Sequence, residues 1–198
     1  MNKTLVMLAT VTALAGCGKP ATEDSNGTAL TNDMIGNAAL DSNVAMTNAM
    51  ASPVPDAPIE AVAYLAKAGA GDMFEVESSK AVLAKSTNAD AKMFAQMMIE
   101  AHSKSTETLK SAAKTDGVAV SPPALDPLQE QMLNEIKAAP ADKIDAVYYA
   151  HQSKAHAAAL ALHQRYAAQG DKPALKKAAA EMVPVVETHI AELGKLTK

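Results

Sequence analysis

This sequence predicts an all-α fold, an antiparallel bundle of four long helices with a short extra helix between the second and third. Three observations carry that expectation. Tryptophan is absent and aromatic residues make up only 3% of a chain rich in alanine, with 11 methionines. Strands favour aromatic and β-branched residues, whereas alanine lets helices approach closely and methionine fills the gaps between them. Beyond Pro58 the apolar residues recur at three- and four-residue steps, the period of a helix face. The periodic stretches are divided by capping and breaking residues, and no strand-like alternation competes with them.

The first helix follows Pro58 and carries Ile59, Val62, Ala66, Ala70, Met73, Val76 and Leu83 as its expected buried face. Ser86-Thr87-Asn88 interrupts it, and Asn88 or Ser86 is suited to cap the next helix through a side-chain oxygen. The second helix presents Phe94, Met97, Met98, Ala101, Leu109 and Ala112, and stops near Asp116-Gly117. After the break at Ser121-Pro122-Pro123, a short amphipathic stretch holds Leu128, Met132, Leu133 and Ile136 and closes at Pro140. The third long helix runs from about Asp142 to Gln169, ending at Gly170. Pro173 suits the first turn of the fourth, with Asp171 as the expected cap. The fourth shows Leu175, Ala178, Met182, Val185, His189, Leu193 and Leu196, with Pro184 inside it.

Ahead of this domain the chain has a different character. Met1-Asn2-Lys3, an apolar run from Leu5 to Ala15 and small residues before Cys17 have the form of an export signal, too short to span a bilayer comfortably. Leu14-Ala15-Gly16-Cys17 resembles a bacterial lipobox, in which residues 1–16 are removed and the thiol of Cys17 is lipidated. The expected address is the cell envelope, lipid-anchored and facing the periplasm. Gly18 in place of an aspartate after the cysteine favours the outer over the inner membrane. Residues 17–57 are polar and acidic, with Glu23, Asp24, Asp33, Asp41 and Asp56 and no Lys or Arg between Ala21 and Ala57. Such a segment buries too little apolar surface to offset its ordering entropy and reads as a tether; residues 58–198 form the folded domain.

Several chemistries are excluded. Cys17 is the only cysteine, so a single chain builds no disulfide, zinc–thiolate or iron–sulfur site. The net charge of −4 leaves no basic footprint for nucleic acid. There is no glycine-rich phosphate loop, no nucleophile elbow and no free thiol.

Histidines are the residues of interest. If the four helices alternate up and down, the turns near Thr87 and Asp171 share one end. His102 and His156 then each lie about 15 residues, or roughly 22 Å, below a turn, with His189 at nearly the same depth. His102 follows Phe94 and Met98 at four-residue steps and points inward, while alanine crowds the third long helix so that His151 and His156 both remain open. Of the carboxylates on the first helix, Glu77 is the expected inward one and Glu75 the second candidate. Imidazole with carboxylate is a set that zinc, iron or copper accepts. Equally, the same residues can be a hydrogen-bonded polar core, and mutual proximity in a core holds at least one imidazole neutral at pH 7. A di-iron carboxylate centre is not expected: Glu100–His102 and Glu187–His189 have one intervening residue, which turns each pair about 200° apart instead of onto one face.

Four segments carry a resemblance. Ala70 through Glu77, Phe94 through His102, Lys154 through Leu160, and Leu175 through Ala178 with Pro184 through His189 look like the exported bacterial family of domain of unknown function 4142. The resemblance covers Pro58 to the C-terminus and implies a ferritin-like four-helix bundle in which Glu75, Glu77, His102, His156 and His189 are recurring polar positions. This chain departs from the pattern at Ala101, where an aspartate is usual, and at His163, where an apolar or aromatic residue is usual. No established activity comes with the likeness. The leading expectation is therefore a non-enzymatic, membrane-anchored envelope domain, stress- or envelope-related, whose His/Glu cluster is structural. The alternative is a ferritin-like metal-binding or redox protein using Glu77, His102, His156 and His189. A third reading is an interaction module for a protein partner in the envelope.

Overall fold

A computed structural model describes residues 59–198, so the signal segment, Cys17 and the tether lie outside the described residues. These residues are all-helical: α1 (Ala61–Lys85), α2 (Ala89–Thr115), α3 (Pro127–Ala138), α4 (Ile144–Gln169) and α5 (Pro173–Leu196). None of these helices is long and apolar enough to cross a membrane.

The boundaries follow from local chemistry. Asn88 Oδ1 accepts from the backbone N–H groups of Asp90 and Ala91 and starts α2. Gly117, at φ 67°, takes the left-handed conformation that ends it. Asp126 and Gln129 form a reciprocal capping box before α3, with Pro127 at its first turn. The start of α5 differs from expectation. Asp171 does not cap it but accepts from the Tyr166 hydroxyl at 3.0 Å. Its free N–H groups at Ala174 and Leu175 instead donate to the carboxylate of Asp116, at the far end of α2. Gly170 joins α4 to α5 because nothing larger fits: a Cβ there would sit 2.6 Å from the Tyr166 carbonyl oxygen and 2.7 Å from its ring.

Side-chain pairs fix the directions. On α1 and α4, Tyr64 meets His163 and Ser79 meets Tyr148, so the two helices run antiparallel. Asp72 meets His102 and Thr106 across α1 and α2, and Ser105 meets Met182 across α2 and α5, with Asp116 further along against Ala174. The long helices thus form a ring in which α1 touches α2 and α4, and α5 touches α2 and α4. In chain order this reads up, down, down, up. The turns at Thr87 and Asp171 lie at opposite ends, contrary to the alternating order expected. The 117–143 segment runs back along the domain, and its α3 packs on α1 and α4, where Lys85 Nζ donates to the carbonyls of Lys137 and Ala139.

Two separate apolar clusters fill the interior. One, towards the Thr87 end, contains Phe74, Val82, Phe94, Met98, Ile136, Ile144, Tyr148 and Leu193. The other, towards the Asp171 end, contains Tyr64, Leu65, Leu109, Ala113, Tyr166, Leu175 and Met182. Along every long helix, the residues between these clusters include buried polar ones: Asp72 and Glu75 on α1, His102 on α2, His156 on α4 and His189 on α5. The polar layer explains why the buried face of α1 differs from expectation. Val62 is 60% exposed and Met73 37%, whereas Ala61, Tyr64, Ala68, Asp72, Glu75, Ser79 and Val82 point inward. That stripe has helical spacing, but its middle is polar, so apolar periodicity alone selected another face.

Candidate metal centre

Three imidazoles from three helices meet in this layer. One ring nitrogen of each of His102, His156 and His189 lies within 4.8 Å of the others, and all three residues are buried. Ring centroids are 5.3–5.7 Å apart. The histidines share a depth even though the two turns are at opposite ends. His102 and His156 sit at the middle of α2 and α4, where depth is the same whichever way a helix runs, and His189 lies within about a turn and a half of the middle of α5.

The nitrogens not facing the cluster are held. His102 Nδ1 is 2.8 Å from Asp72 Oδ1, whose other oxygen accepts from Thr106 Oγ1 at 2.9 Å. His156 Nδ1 donates to the Gln152 carbonyl, one turn back on α4, at 3.0 Å. In the neutral rings these contacts leave Nε2 with the lone pair, and His102 Nε2 is buried without a hydrogen-bond partner. His156 Nε2 and His189 Nδ1 are 3.3 Å apart. Two nitrogens bound tetrahedrally at about 2.0–2.1 Å to one ion would be about 3.3 Å apart.

Electrostatics divide the group. Burial and the neighbouring His102 pull His156 down to about 3 and His189 down to about 4, so both are neutral at physiological pH. Burial acts the same way on His102, but the Asp72 hydrogen bond and the nearby carboxylates outweigh it and raise its pKa. Glu75 is 3% exposed, with Oε1 3.5 Å from His156 Nδ1 and Oε2 without a hydrogen-bond partner. Its burial pushes the carboxyl up to about 7, against the pull of His102.

The carboxylate expected to face inward, Glu77, does not join the group. It pairs with Lys80 at 2.8 Å on the outside of α1, while Glu75, two residues earlier and about 200° around the helix, is the buried one. On α4, His156 rather than His151 enters the layer; His151 Nε2 instead meets Glu135 Oε2 of α3 at 2.8 Å. Asp72 was not among the expected site residues. Its signal was present: three residues before Glu75 and four after Ala68, it continues the buried stripe of α1. Glu100 and Glu187 point outward, as their spacing to the following histidines requires.

The layer is reachable. A cavity of about 540 Å³ between α2 and α5 is lined by Met97, His102, Ser105, Met182 and His189. A second, of about 590 Å³, opens between α1, α3 and α4 and is lined by Asp72, Glu75, His102, Met132 and His163. Three imidazoles, two of them oriented from behind and two lining the α2–α5 cavity, are a donor set that zinc, iron or copper accepts.

The chain matches the family described as Domain of unknown function (DUF4142) over residues 45–196, which begins upstream of the Pro58 boundary read from the sequence. No curated protein matches it. Its fold is similar to the crystal structure of a DUF305 fragment from Deinococcus radiodurans, at a TM-score of 0.61 and 11% identity over 69% of this chain and 93% of that one. At that identity the likeness speaks to the fold alone.

Proposed function

The chain belongs to the Domain of unknown function (DUF4142) family, and from that premise we propose that it is an envelope lipoprotein whose helical domain binds one transition-metal ion, zinc, iron or copper, at His102, His156 and His189. One observation carries the reading. The imidazoles converge while Asp72 and the Gln152 carbonyl engage the far nitrogens of two of them, the outer-layer pattern that fixes a histidine tautomer for a metal. Asp72 orients His102 and supplies negative charge behind it. Burial keeps His156 and His189 deprotonated and ready to bind. Glu75 lies behind the site, with Oε1 3.5 Å from His156 Nδ1, the nitrogen turned away from the cluster.

Two further parts belong to the same reading. The ring of four long helices, with one long crossover between α2 and α4, supports a four-helix bundle of ferritin-like connectivity. Residues 1–16 act as a lipoprotein signal, and Cys17 holds the domain by lipid at the periplasmic side of a membrane, the outer one favoured, through a 17–57 tether. Cys17→Ser should move the protein from the membrane to the soluble fraction and abolish acyl labelling; unchanged membrane association would reject the anchor.

The metal reading is tested by elemental analysis of protein purified without a histidine tag. About one ion per chain is expected, lost in His102→Ala and His156→Ala, with a rise in thermal midpoint on adding metal to stripped protein. Wild-type protein that takes up no ion, and whose midpoint does not respond to any of the three metals, would leave the cluster as a structural polar core.

A further inference from the structure

The four tyrosines are not equivalent, and the chain has no tryptophan to compete with them for oxidation. The Tyr148 hydroxyl hydrogen-bonds the Ser79 hydroxyl, at 2.7 Å, and the Tyr149 hydroxyl is buried without a hydrogen-bond partner. Tyr64 and Tyr166 each face a base. The Tyr64 hydroxyl is 2.9 Å from His163 Nδ1, and the Tyr166 hydroxyl donates to Asp171 Oδ1 at 3.0 Å. Their rings are stacked, with centroids 3.8 Å apart and planes within 10°. Both tyrosines are fully buried, whereas Asp171 is exposed.

We infer that Tyr64 and Tyr166, with His163 and Asp171 as their proton acceptors, form a one-electron relay from the clefts beside His102 to the surface at Asp171. The chemistry sets the requirement. A phenol that loses an electron becomes a strong acid, so oxidation inside a protein is feasible only where a base takes the proton at hydrogen-bond distance. Burial lowers His163 to about 4, so its ring is a neutral base at physiological pH, and burial with the nearby Asp72 keeps Tyr64 a protonated phenol. Among the four tyrosines, only these two combine an acceptor with each other's ring.

The sequence of steps balances. A one-electron oxidant takes an electron from Tyr64, its O–H bond breaks, and the proton moves to His163 Nδ1, leaving a neutral phenoxyl and an imidazolium. Tyr166 then gives an electron across the stack and its proton to the Asp171 carboxylate, while His163 returns its proton to Tyr64. The phenoxyl now sits on Tyr166 beside exposed Asp171, where an external one-electron reductant, such as a thiolate, restores it and Asp171 gives the proton back. His163 lines both clefts together with His102, and it lies seven residues, about 10 Å, along α4 from His156. The source of the oxidant rests on the metal reading: hydrogen peroxide would take one electron from a copper or iron ion held by His102, His156 and His189 and one from Tyr64, leaving as two hydroxides. In this role the pair carries oxidising equivalents out of the interior to the surface.

The test separates relay from metal. Full-length protein in detergent, stripped with chelator, is exposed to a photogenerated ruthenium(III) polypyridyl oxidant. The radical is followed by electron paramagnetic resonance and trapped with a nitroso spin trap for peptide mapping. In the wild type the trapped adduct should map to Tyr64 and Tyr166; mapping to Tyr148 or Tyr149 would overturn the relay without relying on any variant. His163→Gln, which can still hydrogen-bond the phenol but is no base, should slow radical formation by at least about 100-fold. An unchanged rate in folded H163Q would also overturn it. A second arm adds hydrogen peroxide to copper- or iron-loaded protein, with His102→Ala as control. Mapping to Tyr64 and Tyr166 by photo-oxidation in a chain that binds no metal upholds the relay while the metal reading fails. Bound metal without that mapping is the reverse.

Discussion

Glu75→Gln is expected to make the helical domain more sensitive to acid, although the substitution removes an acid. Burial holds His156 at about 3 and His163 and His189 at about 4 in the folded state, against about 6.5 once unfolded. Their contribution to stability is complete above the unfolded value and is lost as pH falls towards the folded ones. Glu75 has the opposite sign. Held at about 7 against an ordinary 4.5, it stabilises the folded state below pH 4.5 and loses that contribution as pH rises through 7. His102, whose pKa is raised, is protonated in both states well below 6.5 and drops out of the slope. Near pH 5.5, unfolding therefore takes up about three protons on histidines and releases about one from Glu75, a net uptake of about two. Each proton corresponds to about 1.4 kcal/mol per pH unit, so the wild type should lose about 2–3 kcal/mol per unit between pH 6.5 and 5. In E75Q the opposing proton is gone and the slope should approach 4 kcal/mol per unit, roughly (a large share of a typical domain's stability). The measurement is urea unfolding by circular dichroism at pH steps across that range, with chelator present throughout. The slope is the readout, so a constant offset from the amide does not matter. Parallel slopes, or a shallower one in E75Q, would refute the assignment of an abnormally protonated Glu75 beside abnormally neutral histidines.

Three other outcomes follow from specific contacts. Asp72→Asn removes the charge behind His102 but keeps an acceptor oxygen, and should weaken metal binding by about 10–100-fold in a chelator-competition titration. Asp116→Ala leaves the first N–H groups of α5 without their acceptor and should cost about 1–2 kcal/mol in urea unfolding, as loss of a helix cap does, even though Asp116 lies on a different helix. Gly170→Ala forces a methyl group against the Tyr166 carbonyl and ring, and should destabilise by about 1–3 kcal/mol with a changed near-ultraviolet tyrosine signal.

The sequence by itself determined the elements whose causes are local. Asn88, Gly117 and Gly170 each act within about one turn, and Pro122-Pro123 and Pro140 bracket α3, so these helix ends and the α3 insertion were legible from residue order. His102 and His189 were legible as inward because their neighbours at helical spacing are apolar, whereas their shared depth was argued from turns at one end, an order that the structure overturns. What only the tertiary structure decided is everything that depends on a partner from another helix. The up, down, down, up order comes from the path of the 117–143 crossover, which no local signal in that segment specifies. Asp116 rather than Asp171 caps α5 because the end of α2 arrives there. His156 was chosen over His151 because α3 supplies Glu135 to one and the interior supplies His189 and Glu75 to the other. The face of α1 shows the principle most sharply. Asp72, Glu75, Ser78 and Ser79 are buried at the centre of the domain, while Val62 and Met73 lie towards solvent. Burying a carboxylate is costly in isolation, and its sequence neighbours do not reveal the groups that offset the cost. His102, Thr106, Gln152 and Tyr148 arrive from other helices. Apolar periodicity therefore reports burial only where the interior is apolar, and here the middle of the interior is not.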